Sequence, residues 1–322
     1  MKKSVFAHLS LIILGATSPA FAIDTMLASK LSQELSKEPF FTQQQSSTVT
    51  SYQPKQGLRG WDHAFKILST KGIDPKHLEA ILSDPRLPRH EPLIFSLNPR
   101  ESHYPYRKLN TKRNRANALN FYRKHRTDFL RAETEFNVPA SVILSILQVE
   151  TYCGKNTGKR PTFHGLLRLA NATDAESLEA TYRRRKAENP NVTREAVYQR
   201  AKYLEDTFMP HVVAAIILAS RSNLSPLDLR GSGAGALGIP QFLPGNVLAY
   251  GVDGDRNGRV DIFTPADAIN SVAKFLAHHG WSSAQMTSSA KRQAIWHYNR
   301  SEPYISTVLA MAEMLRTSMR QS

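Results

Sequence analysis

Two segments of this chain are apolar on nearly every side of a helix: Val142–Gly154, "VILSILQVETYCG", and the run "HVVAAIILAS" at 211–220. A helix without a polar face has to be buried, because turning any side to water exposes hydrocarbon. Two such helices predict a helical core wrapped by amphipathic neighbours. Strand signals are sparse, since no alternating β-branched run exceeds about four residues. The expected fold is therefore mainly α, with a loop-rich, glycine-containing patch at 231–263.

The chain opens "MKKSVFAHLSLIILGATSPAFA": two lysines, an apolar run from about Val5 to Leu14, and Ala20-Phe21-Ala22 as a cleavage site. This predicts a secretory signal peptide over 1–22, its apolar run being too short for a membrane span. No cysteine follows the run, which argues against a lipid-anchored cysteine. No later stretch is long and apolar enough to cross a bilayer, so the mature protein is expected to be soluble and exported, in a periplasm where the cell has one. Cys153 is the only cysteine, which excludes an internal disulfide despite the oxidising compartment. Beside an apolar helix end, with no evident partner, it reads as a buried spectator thiol. The net charge of +15, or +13 without Lys2 and Lys3, predicts an anionic partner. Export makes nucleic acid the weakest candidate and leaves a lipid surface or an acidic wall polymer.

Residues 23–55, Gln/Ser/Thr-rich at their end, read as a tether or a loosely docked segment. Residues 56–114 read as an N-terminal helical and extended region. It holds a helix in "GWDHAFKILSTKG" that ends at Gly72 and a second in "DPKHLEAILSD" that starts on Asp-Pro. The stretch "PRLPRHEPLIFSLNPRESHYPYRKLN", with five prolines, reads as an exposed extended strap. Residues 115–322 are expected to form the core. They begin within a basic helix, "RNRANALNFYRKHRTDFLRAETEF", continue through the apolar helix at 139–150 and the basic helical "ESLEATYRRRKAENPNVTREAVYQRAKYLEDTF", and reach the second apolar helix.

The first apolar helix ends on an acid. Asn137-Val138-Pro139 is a workable helix start, and Glu150 falls in the last turn. There the negative end of the helix dipole and burial beside Ile146, Leu147 and Val149 both disfavour a second negative charge, so both raise the carboxyl's pKa. A carboxylic acid that stays protonated near neutral pH is what a general acid requires. A solvated, outward-pointing Glu150 is the alternative.

Two further motifs carry chemistry. In "GSGAGALGIPQFLPGN" (231–246), Gly233, Gly235 and Gly238 have the spacing of a dinucleotide fingerprint, but Pro240 and Pro244 lie where its helix would run. The glycines instead let backbone approach a bulky ligand or a neighbouring helix. Ser232 and Gln241 flank the turn as groups able to hydrogen-bond a sugar. In "DGDRNGRVDIFTPAD" (253–267), Asp253, Asp255 and Asn257 take positions 1, 3 and 5 of an EF-hand-like loop. Gly258 is at 6, the Arg259 carbonyl follows, and Asp261 is at 9. Position 12 is Thr264, not glutamate, and Asp267 could serve if the loop is longer. Thr264-Pro265-Ala266-Asp267 also reads as an N-cap, Pro at N1 and an acid at N3. The expectation is a structural Ca2+, weakened by Arg256 and Arg259; an unmetallated Asx-rich turn is the alternative.

"VETYCG" and "GSGAGALGIPQFLP" together resemble the lytic murein transglycosylase B family, and the resemblance continues through "DAINSVAKFLAHHGW" (267–281) and "WHYNRSEPY" (296–304). It covers about residues 115–315. Cys153 stands where the family has an aromatic residue, and 171–198 is longer and more basic than its pattern. The resemblance implies a lysozyme-like helical catalytic core and cleavage of the MurNAc–GlcNAc β-1,4 bond of peptidoglycan by a single glutamate, with no catalytic cofactor. Glu150 would protonate the glycosidic oxygen, then deprotonate the C6 hydroxyl of the same MurNAc, giving a 1,6-anhydro product. It also implies that Ser232 and Gln241 contact Glu150 or the sugar, and that Tyr298 and Asn299 line the cleft, with Tyr298 facing charge that develops at C1. Tyr304 would bind glycan, and Arg200 in "QRAKYL" would bind peptide. The expected partner is the glycan strand, and a monomer is expected. Two other readings stand beside this one. A lysozyme-like hydrolase needs a second carboxylate, for which Asp174, Glu176 and Glu179 are candidates. A non-catalytic wall-binding protein would use the charge alone.

Overall fold

The structure, a computed structural model, describes residues 25–42, 52–55, 57–99, 106, 109, 111–283 and 285–320. The expected signal peptide at 1–22 lies outside the described residues. Helices α1 (Thr25–Leu35), α2 (Asp62–Ser69) and α3 (Pro75–Leu82) precede the proline strap. After it come α4 (Lys112–Lys124), α5 (Arg126–Phe136) and α6 (Ala140–Thr151). The two-residue strand β1 (Arg160–Pro161) leads to α7 (Thr162–Ala170), α8 (Ala175–Glu188) and α9 (Arg194–Arg221). Past β2 (Arg230–Gly231) lie α10 (Pro244–Tyr250), α11 (Pro265–His278), α12 (Ser288–Tyr298) and α13 (Glu302–Met319). No described helix is long and apolar enough to cross a membrane.

The chain forms two units. One comprises Asn98–Arg160 and Gly231–Ser322; the other comprises Pro161–Arg230 with the described residues of Pro19–Leu97. The division therefore does not fall at the expected 114/115 boundary, because residues 161–230 fold with the N-terminal region.

The first unit is built around α6. Ile143, Leu144, Ile146 and Leu147 are fully buried, each contributing about 1.5–3 kcal/mol of gross apolar burial. Helices α13, α4, α5 and α11 pack around it. The basic helix expected over 113–136 is broken at His125, which has φ −117° and ψ 26°. The break lets Tyr122 and Phe129 meet at a 5.4 Å ring separation, with Phe121 edge-on to Phe129. Aromatic packing inside the unit wins over continuity of the charged helix.

The second unit is built around α9, a 28-residue helix with Pro210 inside it. It joins the basic stretch to the apolar run, which the sequence reading separates. Pro210 removes one ladder bond, but Val212, Ala214, Ala215, Ile217 and Ala219, all fully or almost fully buried, hold the helix together beyond it. Residues 25–42 are not a tether. Leu27, Leu31 and Leu35, spaced by four, form one buried face of α1, which packs on α9. Arg221 ties the segment down through Nε to Glu38 (2.8 Å) and Nη2 to Glu34 (2.7 Å). The strap differs from expectation too. Leu87 and Phe95 are buried, and its backbone is bonded to α8 through Ser177, Thr181 and Arg185.

Candidate active site

Helix α6 ends in a left-handed turn. Tyr152 and Cys153 have φ of 53° and 56°, and Gly154 follows at 86°. Positive φ is costly for non-glycine residues and persists only where surroundings fix it. Thr151 supplies that fixing. Fully buried, it donates from Oγ1 to the Ile239 carbonyl (2.8 Å) and accepts from Gly154 N (2.9 Å). The end of α6 is thus bonded to the glycine-rich loop. Asn117 holds the other side, donating to Gln148 Oε1 (2.9 Å) and to the Tyr152 carbonyl (3.1 Å). Cys153 donates its thiol to the same Gln148 oxygen at 3.3 Å, and burial pushes that thiol's pKa well up. It is an inert part of the support.

The loop and the segment facing it need their glycines. Gly158 has φ +85°, and a Cβ there would lie 2.2 Å from the Gly231 carbonyl oxygen; at Gly238 (φ +68°) it would lie 2.5 Å from that of Ile262. Close backbone approach, not a phosphate cradle, explains them.

Glu150 is half-buried at the end of α6. The Tyr304 hydroxyl donates to its Oε1 at 2.7 Å. Tyr304 sits on the first turn of α13, where Ser301 Oγ accepts from its backbone N–H as the N-cap. Burial, and then the Glu150 charge, hold the Tyr304 phenol well above its ordinary pKa, so it stays a donor. Tyr298, at the end of α12, lies nearly parallel to Tyr304 with ring centroids 6.3 Å apart. Its hydroxyl donates to the Pro240 carbonyl at 2.5 Å, and burial followed by the Glu150 charge raises its pKa as well. Asn299 ends α12, and its Oδ1 is buried with no hydrogen-bond partner. Tyr106, from the end of the proline strap, sets its ring edge-on to Tyr304 at 6.3 Å.

Ser232 Oγ accepts from Ala236 N at 3.0 Å, which leaves the hydroxyl proton to give. Gln241 has φ +52°, and its Nε2 donates to the Gly238 (2.9 Å) and Thr157 (3.1 Å) carbonyls. Glu150, Ser232, Gln241, Tyr298, Asn299 and Tyr304 therefore all belong to the first unit. Arg200 belongs to the second. It is buried on α9, its Nε donates to the Ser96 carbonyl at 3.3 Å, and its guanidinium lies over the Tyr203 ring. Sequence reasoning missed Thr151, Asn117 and Tyr106. Thr151 sits inside the quoted "VETYCG", but only the fold brings Ile239 to it.

The 253–267 loop closes on Asp267. That residue is fully buried, with Oδ1 accepting from Gly254 N (2.8 Å) and Oδ2 from Asp261 N (2.6 Å). Thr264 is the N-cap residue of α11, but its hydroxyl donates to the Asp261 carbonyl and does not cap the helix. Asp253, Asp255 and Asp267 each offer a carboxylate oxygen within 4.8 Å of the others. Burial raises the Asp267 pKa, the Asp261 and Gly254 amides oppose that rise, and the Asp255 charge adds to it. Asp253 binds the amides of Asn257 and Gly258, Asn257 Oδ1 accepts from Arg259 N, and Asp261 Oδ1 accepts from Phe263 N.

Residues 59–293 match the family model described as "Transglycosylase SLT domain". The membrane-bound lytic murein transglycosylase B of Escherichia coli K12 is 29% identical over 228 residues, which cover 67% of this chain and 55% of that protein. The chain thus spans about half the length of this curated relative. Among solved structures, the E. coli lytic transglycosylase SLT35 in complex with bulgecin A matches with a TM-score of 0.60 at 21% identity, over 81% of this chain and 93% of that one. SLT35 has also been solved in complex with calcium (TM-score 0.59, 21% identity, the same coverage). The soluble lytic transglycosylase SltB1 of Pseudomonas aeruginosa matches at 0.60 and 23% identity, over 82% of this chain and 100% of that one. These structures share the fold with this one. With the family model covering well over half of its length, the chain belongs to the transglycosylase SLT domain family.

Proposed function

We infer that this protein is an exported lytic transglycosylase that cleaves the MurNAc–GlcNAc β-1,4 bond of peptidoglycan and leaves a 1,6-anhydroMurNAc end. The observation that carries the reading is the Glu150–Tyr304 pair: one carboxyl group at the end of a buried helix, its Oε1 held by a phenol that stays protonated.

The carboxyl group, protonated, gives its proton to the glycosidic oxygen as the C1–O bond breaks. The GlcNAc leaves as an alcohol, and positive charge develops at C1 and the ring oxygen. The carboxylate then takes the proton of the C6 hydroxyl on the same MurNAc, whose oxygen closes on C1. Glu150 is returned protonated and no water is consumed. General acid–base transfer by one positioned group satisfies both steps. Tyr304 keeps the carboxyl in one orientation throughout. The Asn299 Oδ1, buried without a partner, is suited to accept a sugar hydroxyl, since an unpaired buried carbonyl costs about 1–3 kcal/mol until something bonds it. The Ser232 hydroxyl is suited to donate, and the Tyr298 ring sits beside the same carboxylate.

A hydrolase reading needs a second carboxylate as nucleophile or base. The three candidates have other duties: Asp174 N-caps α8, Glu179 is bonded by Arg183 and Arg194, and Glu176 is exposed on the first turn of α8. The 253–267 loop fits a hard cation, because three carboxylates in mutual reach, one of them buried, repel one another until a cation joins them. Asp253, Asp255 and Asp267 would hold Ca2+ together with Asn257 and the Arg259 carbonyl, and the ion would supply rigidity to the loop. The net charge of +15 favours the acidic wall as the medium in which the enzyme works.

Mass analysis of products from purified sacculi tests the reading. Anhydro muropeptides, one water lighter than reducing ones, are expected from the wild type and should vanish with Glu150→Gln. Reducing ends as the main product would overturn it.

A further inference from the structure

The second unit sets a histidine close to two carboxylates. His90 lies on the strap with its side chain only 5% exposed. Trp61, fully buried, packs edge-on against its ring at 4.9 Å, and the His90 amide donates to the Arg59 carbonyl at 2.9 Å. Gly60 runs so close that a Cβ there would sit 3.1 Å from His90 Cβ. The ring is therefore held in one place, with its Nε2 3.8 Å from Asp174 Oδ2. The two groups are too far apart to hydrogen-bond directly and close enough for a single ion to bridge them.

Opposite it stands the start of α8. Asp174 caps the helix through Oδ2, which accepts from Ser177 N at 3.1 Å, and Glu176 follows in the first turn. A ring nitrogen of His90 and carboxylate oxygens of Asp174 and Glu176 all lie within 4.8 Å of one another. Two full negative charges outweigh the partial positive charge of the helix start, so the gap facing the imidazole is negative. A separation of 3.8 Å is long for a hydrogen bond but suits two ligands that each stand ~2.1 Å from a shared ion.

We propose that His90, Asp174 and Glu176 bind a divalent transition-metal ion of the zinc type. The imidazole selects this class over calcium or magnesium, which take oxygen donors alone. Three protein ligands leave one position for water. The ion would clamp the strap to α8 at the end of a seam already made by Leu93 with Ser177 and Thr181 and by Phe95 with Arg185.

Titration calorimetry with Zn2+, on full-length mature protein with Ca2+ saturating so that the 253–267 loop does not compete, tests this. One Zn2+ per chain is expected. Glu176→Gln, an exposed and conservative change, should weaken binding at least about tenfold, and His90→Gln should abolish it. Should His90→Gln fail to fold, Glu176→Gln decides alone. No Zn2+ uptake by the wild type, or equal affinity in wild type and Glu176→Gln, overturns the proposal and leaves a bridging water as the occupant of the gap.

Discussion

Replacing Tyr304 with Phe removes one oxygen atom from the site and nothing else. The ring keeps its edge contact with Tyr106 and its near-parallel partner Tyr298, so packing is retained. What disappears is the 2.7 Å hydrogen bond to Glu150 Oε1. A hydrogen bond to a charged group is worth about 1.5–3 kcal/mol, and each 1.36 kcal/mol is tenfold in rate. In the proposed reaction the carboxylate form is an intermediate and its orientation serves both proton transfers, so most of this energy should appear in the chemical step. Tyr304→Phe is expected to lower turnover about 10- to 100-fold, with little change in KM. The assay is release of anhydro ends from soluble, defined-length glycan strands, with circular dichroism as the control for folding. Turnover within about twofold of wild type in a folded variant would refute the claim that the Tyr304–Glu150 bond organises catalysis.

Three further outcomes are expected. Gly158→Ala should destabilise the protein by at least about 2 kcal/mol in urea unfolding, because φ +85° is forced on a residue with a Cβ and that Cβ meets the Gly231 carbonyl; a change below about 0.5 kcal/mol would contradict it. Ca2+ at about 100 times its Kd should stabilise by about 2.7 kcal/mol and raise Tm by several degrees, an effect lost with Asp255→Asn; equal shifts in both proteins would place the ion elsewhere. Glu205 offers a pH test. Burial would raise its pKa, but the nearby His63 imidazole and hydrogen bonds from Thr173 and Lys202 outweigh burial and hold it at about 2, against an ordinary 4.5. A lowered carboxyl contributes stability above pH 4.5 and loses it as pH falls through about 2, here of order 3 kcal/mol. Glu205→Gln should flatten that part of the stability curve, and an unchanged acid limb would count against the pairing.

The residues that made the site legible in the sequence are those whose chemistry conflicts with their surroundings. Glu150 stood out because an acid closes an apolar run, and Asp267 because the metal-like loop lacked its last ligand. The buried helices were legible from composition alone, since apolarity on all sides leaves no other place for them. Positions fixed by contacts between distant segments were not. Thr151 looks like any threonine until Ile239 is brought to it, and nothing in the strap marks Tyr106 as the neighbour of Tyr304. The tether expectation failed at α1 for a different reason. Polar composition outweighed three leucines spaced by four, although that spacing is enough to dock a short helix on α9. The continuity of α9 through Pro210 was equally illegible, because it is burial beyond the proline that keeps the helix intact.

In the proposed reaction an intramolecular hydroxyl, not water, closes on C1. Digestion of purified glycan strands in 18O-labelled water tests this directly. The expected result is a product whose new MurNAc end carries no label and lacks one water relative to a reducing end. Heavy oxygen at C1 of that end would mean that water attacks, and the single-glutamate, ring-closing reaction assigned to Glu150 would be contradicted.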